Sequence, residues 1–386
     1  MSQSGRLRAI LFALFIVAAI DVGSAQAQLD TRLSGYLEHQ YSLTRTGDRW
    51  RQIDYDRFRA DFNVRAGRGS RASVGVIYQL YRGDTRLEAS DFLPDGIRFG
   101  RDSVLTVLKN QNFLNHAYIV LGSRLIEVTA GKQYLTWGAA WVFNPTELFR
   151  PKNAFEPGYD REGVGAISVR LALGPMSELL AGFIPNGRID NSGRVVRLRH
   201  HISGFDVSGL VASTTDDSPR PFSGKLGRRL VVGGDITGEL LGLGVWSEAT
   251  WSRRGDQRWG ELTIGGNYSL SDGTLILLEA FFNGRGKSNG PYSAQSWLEK
   301  FSGVRRTLGK TTIVGLLSRS MGQLWTIGFA TLVNPGDGSA VVIPSISYSF
   351  ADNVDLLFNG VLNLGGPDDE YGFDQIGGFL RGRIYF

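Results

Sequence analysis

The chain is 386 residues long, with 51 Gly, 22 Phe, 13 Tyr, 8 Trp, no Cys and a formal net charge of +5. A charge so small, carried by no basic helix or finger motif, excludes nucleic acid as a partner. The absence of Cys excludes a disulfide scaffold, and no stretch beyond residue 27 reaches the ~20 continuous apolar residues of a membrane helix.

Arg6 and Arg8 precede an unbroken apolar run from Ala9 to Ile20, and a small-x-small site follows at Ala25-Gln26-Ala27. That order predicts a secretory signal peptide over 1–27, too short and wrongly flanked for a membrane anchor. It leaves 28–386 as one domain, with no linker or low-complexity tract inside it.

From Gln28 onward the hydrophobic pattern has period 2, not 3.6. Within 57–66, Phe58, Ala60, Phe62, Val64 and Ala66 share one face, while Arg57, Arg59, Asp61, Asn63 and Arg65 share the other. A helix would mix these sets; a strand separates them. The next run opposes Ala72, Val74, Val76, Tyr78 and Leu80 to Arg71, Ser73, Gly75 and Gln79, and 261–270 and 345–350 repeat the pattern.

Soluble sandwiches alternate too, so two further features decide. The runs are about 9–14 residues long, which suits a tilted bilayer crossing better than a soluble sheet. Tight connections fall at 67–70, 122–124, 174–176, 203–204, 239–242, 271–273, 321–322 and 351–353. Between them lie wider ones at 44–52, 83–114, 134–162, 186–194, 213–227, 253–257, 285–310, 334–339 and 365–372. Outer-membrane barrels alternate short periplasmic turns with longer outside loops in this way. The expected fold is all-β, a transmembrane antiparallel up-and-down β-barrel of about 18 strands, with 16 as the alternative. The run 298–308 is read as loop or helix, because a lone extra strand would break the alternation.

The last strand places Ile376, Gly378, Leu380, Gly382, Ile384 and Phe386 outward and Arg381 and Arg383 inward. An alternating final strand ending in Phe resembles the signal read by the barrel-assembly machinery. The expected location is therefore the outer membrane of a Gram-negative bacterium, reached through the periplasm, with that machinery and outer-membrane lipid as partners.

Charges on the lipid face would cost ~2–4 kcal/mol each near the bilayer midplane, so they belong inside. The expected pore-lining residues are Arg57, Arg59, Asp61, Arg65, Arg71, Arg197, Arg199, Arg229, Glu248, Glu279, Arg381 and Arg383. Either the Arg rows favour anionic solutes or the acids neutralise them in wall-to-wall ion pairs. Closure of the barrel brings the Arg-rich first strands beside the last one, as a basic stripe.

Residues 131–151 form the third outside loop, with Trp137, Trp141, Asn144, Pro145, Glu147, Phe149 and Pro151 too apolar as a set for a free loop. They are expected to fold into the lumen as a constriction, with a cap on the outer rim as the alternative. Whether the loops 83–114 and 134–162 close the lumen is left open by the sequence.

The motif Gly131-x-Gln133-x-x-x-Trp137-Gly138, followed by Asn144-Pro145-x-Glu147-x-Phe149-x-Pro151, is similar to a stretch of porin-like outer-membrane proteins, among them the alginate-export-like barrels. The pieces 268–284, 333–339 and 344–348 resemble the same group, so the likeness covers about half the chain. It implies a barrel; in the alginate exporter an Arg-lined lumen passes an acidic polysaccharide.

The four histidines are His39, His116, His200 and His201. His39 and His200 fall on outward faces, and His116 is placed near the outside rim, where Asp102 and Ser103 precede it. No strained nucleophile turn or paired acids accompany them, and neighbouring strand residues such as His200 and His201 point opposite ways, so neither catalysis nor metal is expected. No cofactor is implied. A first strand beginning about Thr31 leaves no length for a plug domain. The expectation is a passive channel for small hydrophilic solutes, with a preference for anions left open. Export of an acidic polysaccharide is the runner-up, a loop-filled structural or enzymatic barrel is the third reading, and a homotrimer is compatible with a porin of this size.

Overall fold

A strand that is apolar on one face and polar on the other satisfies both faces in lipid only as part of a closed wall. The computed structural model describes residues 29–46, 48–67, 69–88, 104–186, 189–215, 227–372 and 375–386. The leader and residues 101–103 lie outside them.

The wall begins with β1 (Leu29–Thr46), β2 (Arg49–Ala66) and β3 (Ser70–Gly83). A small hairpin, β4 (Arg86–Glu88) and β5 (Val104–Val107), interrupts it. It resumes with β6 (Gln111–Gly122), β7 (Ile126–Gln133), β8 (Val164–Gly174), β9 (Ser177–Ile184), β10 (Gly193–Ile202) and β11 (Phe205–Thr214). Then come β12 (Arg229–Leu240), β13 (Leu243–Arg254), β14 (Gln257–Ser269), β15 (Thr274–Asn283) and β16 (Thr311–Met321). The last are β17 (Trp325–Asn334), β18 (Ser339–Ala351), β19 (Val354–Leu364) and β20 (Gln375–Tyr385).

Leaving the hairpin aside, 18 strands form one antiparallel sheet, each paired with its neighbours in sequence. β20 closes on β1, from Tyr36 opposite Tyr385 to Thr46 opposite Gln375. Phe386 extends the closure by exchanging backbone hydrogen bonds with Gly35, and its ring stacks on Phe58 outside the wall.

The outward faces are those the alternation assigns. Phe58, Phe62, Val76, Tyr78, Leu262, Ile264, Ile346, Phe350, Ile376, Leu380 and Ile384 are all exposed large apolar side chains. The tight turns recur where expected; Ser203-Gly204 and Leu241-Gly242 are two-residue turns with positive φ at both positions, the form that matches strand twist. The helix Ala294–Phe301 overlaps the first residues of 298–308, and the rest of that run is irregular chain, not a strand.

Two of the wide connections are tight. β1 and β2 pair up to Thr46 opposite Arg49, and β13 and β14 up to Arg254 opposite Gln257. The residues at both tips are polar, but a ladder hydrogen-bonds whatever its side chains, so the strands run on beyond the apolar band.

The interior corrects a second expectation. It is not uniformly polar: Val195, Leu210, Ala212 and Val231 on β10–β12 and Phe281, Val314, Leu332, Val341 and Ile343 on β15–β18 point inward and are buried. They seat chain that folds in from the long-loop end. Burying one such side chain stabilises by roughly 1.5–3 kcal/mol, enough in sum to hold a loop inside a barrel.

Candidate functional site

The loop 134–163 leaves β7, crosses the interior to the opposite wall and returns to β8. On the far side its apolar residues meet the apolar wall. Trp137 packs with Leu135, Val195, Leu210 and Val231 and edge-on against Phe149, while Val142 and Phe143 pack with Phe281, Val314 and Leu332.

Two buried carboxylates fix it there. Glu279 on β15 accepts from three consecutive backbone N–H groups, Trp141 (2.7 Å), Val142 (3.1 Å) and Phe143 (2.9 Å), and from Trp246 Nε1 (3.1 Å). Glu248 on β13 accepts from the Ala140 N–H (2.6 Å), Asn144 Nδ2 (2.8 Å) and Thr146 Oγ1 (2.8 Å). Both glutamates are fully buried. They face inward as expected, yet they anchor the loop and do not line a passage.

The returning limb spans to the first and last strands. Tyr159 donates to Glu38 (2.6 Å) and lies 3.0 Å from the Tyr55 hydroxyl. Asp160 pairs with Arg59 at 2.8 Å and accepts from Tyr36; Glu156 pairs with Arg381. Arg57 and Arg381 stack on the Tyr159 ring at 4.8 and 4.7 Å, and Arg383 on Tyr36 at 4.3 Å with its Nε on Glu38 at 2.8 Å. The basic stripe exists, but the loop's own tyrosine and acids cover it. Burial pushes the Asp160 carboxyl up, but the Tyr36 hydrogen bond and the Arg59 charge outweigh it and hold it below the ordinary value.

The remaining predicted pore residues are also paired: Arg59 with Asp61 (2.7 Å), Arg71 with Glu127 (3.0 Å), Arg197 with Asp235 (3.3 Å), Arg199 with Asp206 (2.7 Å) and Arg229 with Glu261 (3.0 Å). Arg65 is exposed. Of the loop residues, Trp137, Asn144, Pro145 and Glu147 are buried, Phe149 is half-buried, and Trp141 and Pro151 are exposed. Glu147 pairs with Arg161 at 2.5 Å, but burial dominates and pushes its carboxyl up.

On either side of the loop the structure leaves a cavity. The one at the long-loop end, about 510 Å³, is lined by Lys132, Arg150, Arg229, Arg285, Arg305 and Arg306 against Glu147 and Glu261. In its wall Arg229 and Arg285 stack on Trp259, each at 5.0 Å. The one at the short-turn end, about 550 Å³, is lined by Arg32, Arg65 and Arg71 against Asp30.

Sequence reasoning missed Arg285, Arg305 and Arg306, which sit in a loop where alternation says nothing, and Glu38, which does lie on an inward face. Tyr159, Asp160 and Glu156 carried no signal, because their partners are more than 100 residues away.

His116 faces inward from mid-β6, beside a bulge, not at the rim. Its Nε2 is 2.7 Å from Ser73 Oγ, its Nδ1 is 3.0 Å from Tyr134 OH, and Asp61 lies at 3.8 Å. Ser73 donates to Asn63 Oδ1 at 2.6 Å, so its proton is directed away from the imidazole and the geometry is not that of an activated nucleophile. The neighbouring Asn115 holds both ends of the loop, donating to Tyr134 OH (2.6 Å) and accepting from the Gly163 N–H (2.8 Å).

No protein-family model matches the chain, and no curated protein matches it in sequence. Solved structures do. The outer-membrane protein OprD from Pseudomonas aeruginosa is 10% identical with a TM-score of 0.57, over 94% of this chain and 95% of that one. OpdK from Pseudomonas aeruginosa, solved with vanillate, is 9% identical with a TM-score of 0.58, over 92% and 98%. OccK5 (OpdH) from the same organism is 10% identical with a TM-score of 0.57, over 92% and 98%. The chain therefore has the fold of these outer-membrane proteins. The likenesses do not support the alginate-export-like grouping.

Proposed function

We propose that the protein is an outer-membrane channel through which small hydrophilic solutes diffuse passively, with anions preferred. The observation that carries this is the charge of the two cavities, where cations outnumber acids on both sides of the in-folded loop. Low-dielectric walls focus the field of such clusters and raise the local concentration of counter-charged solutes. The loop 134–163 is the constriction in this reading, and the signal over 1–27 and the Phe386 strand route the chain to the membrane. The loop is tethered to both walls across the lumen, which favours small solutes over an acidic polysaccharide.

Planar-bilayer recording tests it. Under a KCl gradient the reversal potential should lie on the chloride side, and Arg285→Ser/Arg305→Ser should shift it toward cations. Vanillate, an aromatic carboxylate, should block the current in the millimolar range; absence of any conductance would leave a loop-filled barrel instead. Cross-linking in native membrane tests the homotrimer.

A further inference from the structure

On the outer face of the wall, at the long-loop end, the register lines up Arg194, Ser213, Leu230, Arg253 and Arg258 across five consecutive strands, β10 to β14. The three arginines are exposed. Arg253 and Arg258 face each other directly across a strand pair, an arrangement that is destabilising unless something neutralises it. Among the described residues none of the three has a carboxylate partner, and Asp256 in the intervening turn pairs with neither. Outward Arg82 on β3 differs, being matched by Asp54 and Asp56.

One step toward the middle of the barrel, the next outward row is Val196, Val211, Val232 and Trp251, each more than half exposed. The cations therefore sit on the border between an apolar band and its polar surroundings, where lipid headgroups lie.

We propose that Arg253 and Arg258, with Arg194 farther along the same row, bind the headgroup of an acidic lipid in the outer leaflet, its phosphate on the Arg253–Arg258 pair and its acyl chains on the Val196–Trp251 row. Arg253 donates its Nε to the Gly255 carbonyl at 3.1 Å, which leaves its terminal N–H groups, with the Arg258 guanidinium opposite, as charge-assisted donors to a phosphate. The proposal rests on the membrane placement above and not on the channel's selectivity.

The test is native mass spectrometry of the full barrel from mixed micelles holding equal phosphatidylglycerol and phosphatidylcholine. Wild type should retain phosphatidylglycerol preferentially, and Arg253→Ser/Arg258→Ser should weaken that retention roughly tenfold. Arg253→Lys/Arg258→Lys should keep most of it, and Arg82→Ser should leave it unchanged. Equal retention of both lipids by wild type, or full retention by the serine double variant, would overturn the site. So would an unchanged lipid count accompanied by a changed oligomeric state, which would make the row a contact between copies. Displacement of the lipid by millimolar inorganic phosphate would instead assign the arginines to free anions and refute the lipid. Failure of wild type to insert into bilayers would refute the membrane placement, a separate outcome.

Discussion

Glu279 gathers three successive backbone N–H groups around one carboxylate, doing for a loop what a ring of amide dipoles does for a bound anion. Its inward direction was legible from alternation, but its role was not, because its partners lie 136–138 residues away. Replacing it with Leu keeps the bulk and orphans buried donors, which should cost about 2–3 kcal/mol. The expected result is proteolytic cleavage within 139–156 and noisier single-channel current; a quiet, protease-resistant variant would show the carboxylate to be dispensable. Gly138 is a sharper case. Its φ is +114°, and a Cβ there would meet Glu248 Oε1 at 2.8 Å and Asn144 Nδ2 at 2.9 Å. Gly138→Ala should therefore destabilise the seated loop by about 1–3 kcal/mol, read by the same cleavage assay. The Trp137-Gly138 pair stood out in the sequence, whereas the reason for the glycine lay in a glutamate on another strand.

At the scale of elements, the loop 134–163 joins two walls, and its two limbs are held by different chemistry. The far limb sits on apolar side chains and the two buried glutamates; the returning limb sits on ion pairs and tyrosines. Deleting 139–156 should raise single-channel conductance, and an unchanged value would place the loop outside the permeation path. The limbs should also respond differently to pH. Asp160 has a carboxyl held below its ordinary value, so its contribution is present above that value and is lost as pH falls through the lowered one. Glu147 is pushed the other way, so its contribution is present at acid pH and is lost as pH rises through the raised value. Acidification past the ordinary aspartate value and through Asp160's lowered one should thus release the returning limb while the far limb stays seated, raising conductance in one step. Asp160→Asn should show the raised conductance at neutral pH and lack the step. A step that survives in this variant would assign the response elsewhere.

At the scale of the molecule, a wall of 18 strands closed by β20 on β1 is wide enough for an aqueous channel, and the in-folded chain decides how much of that width is used. The sequence by itself determined the wall. Period-2 alternation, a Phe-terminated strand and the regular recurrence of turns are local signals, and an antiparallel ladder between sequence neighbours needs nothing more than local order. Local order likewise settled which way Arg57, Arg381, Glu248 and Glu279 point. Only the tertiary structure decided what those inward residues meet. Phe281 and Val341 read as misplaced apolar residues until Phe143 arrives from a distant loop, and the basic stripe reads as open until Tyr159 and Asp160 cover it. Those contacts join segments more than 100 residues apart, and their pairing is set by where a closed cylinder brings opposite walls together, a distance that no window along the chain contains.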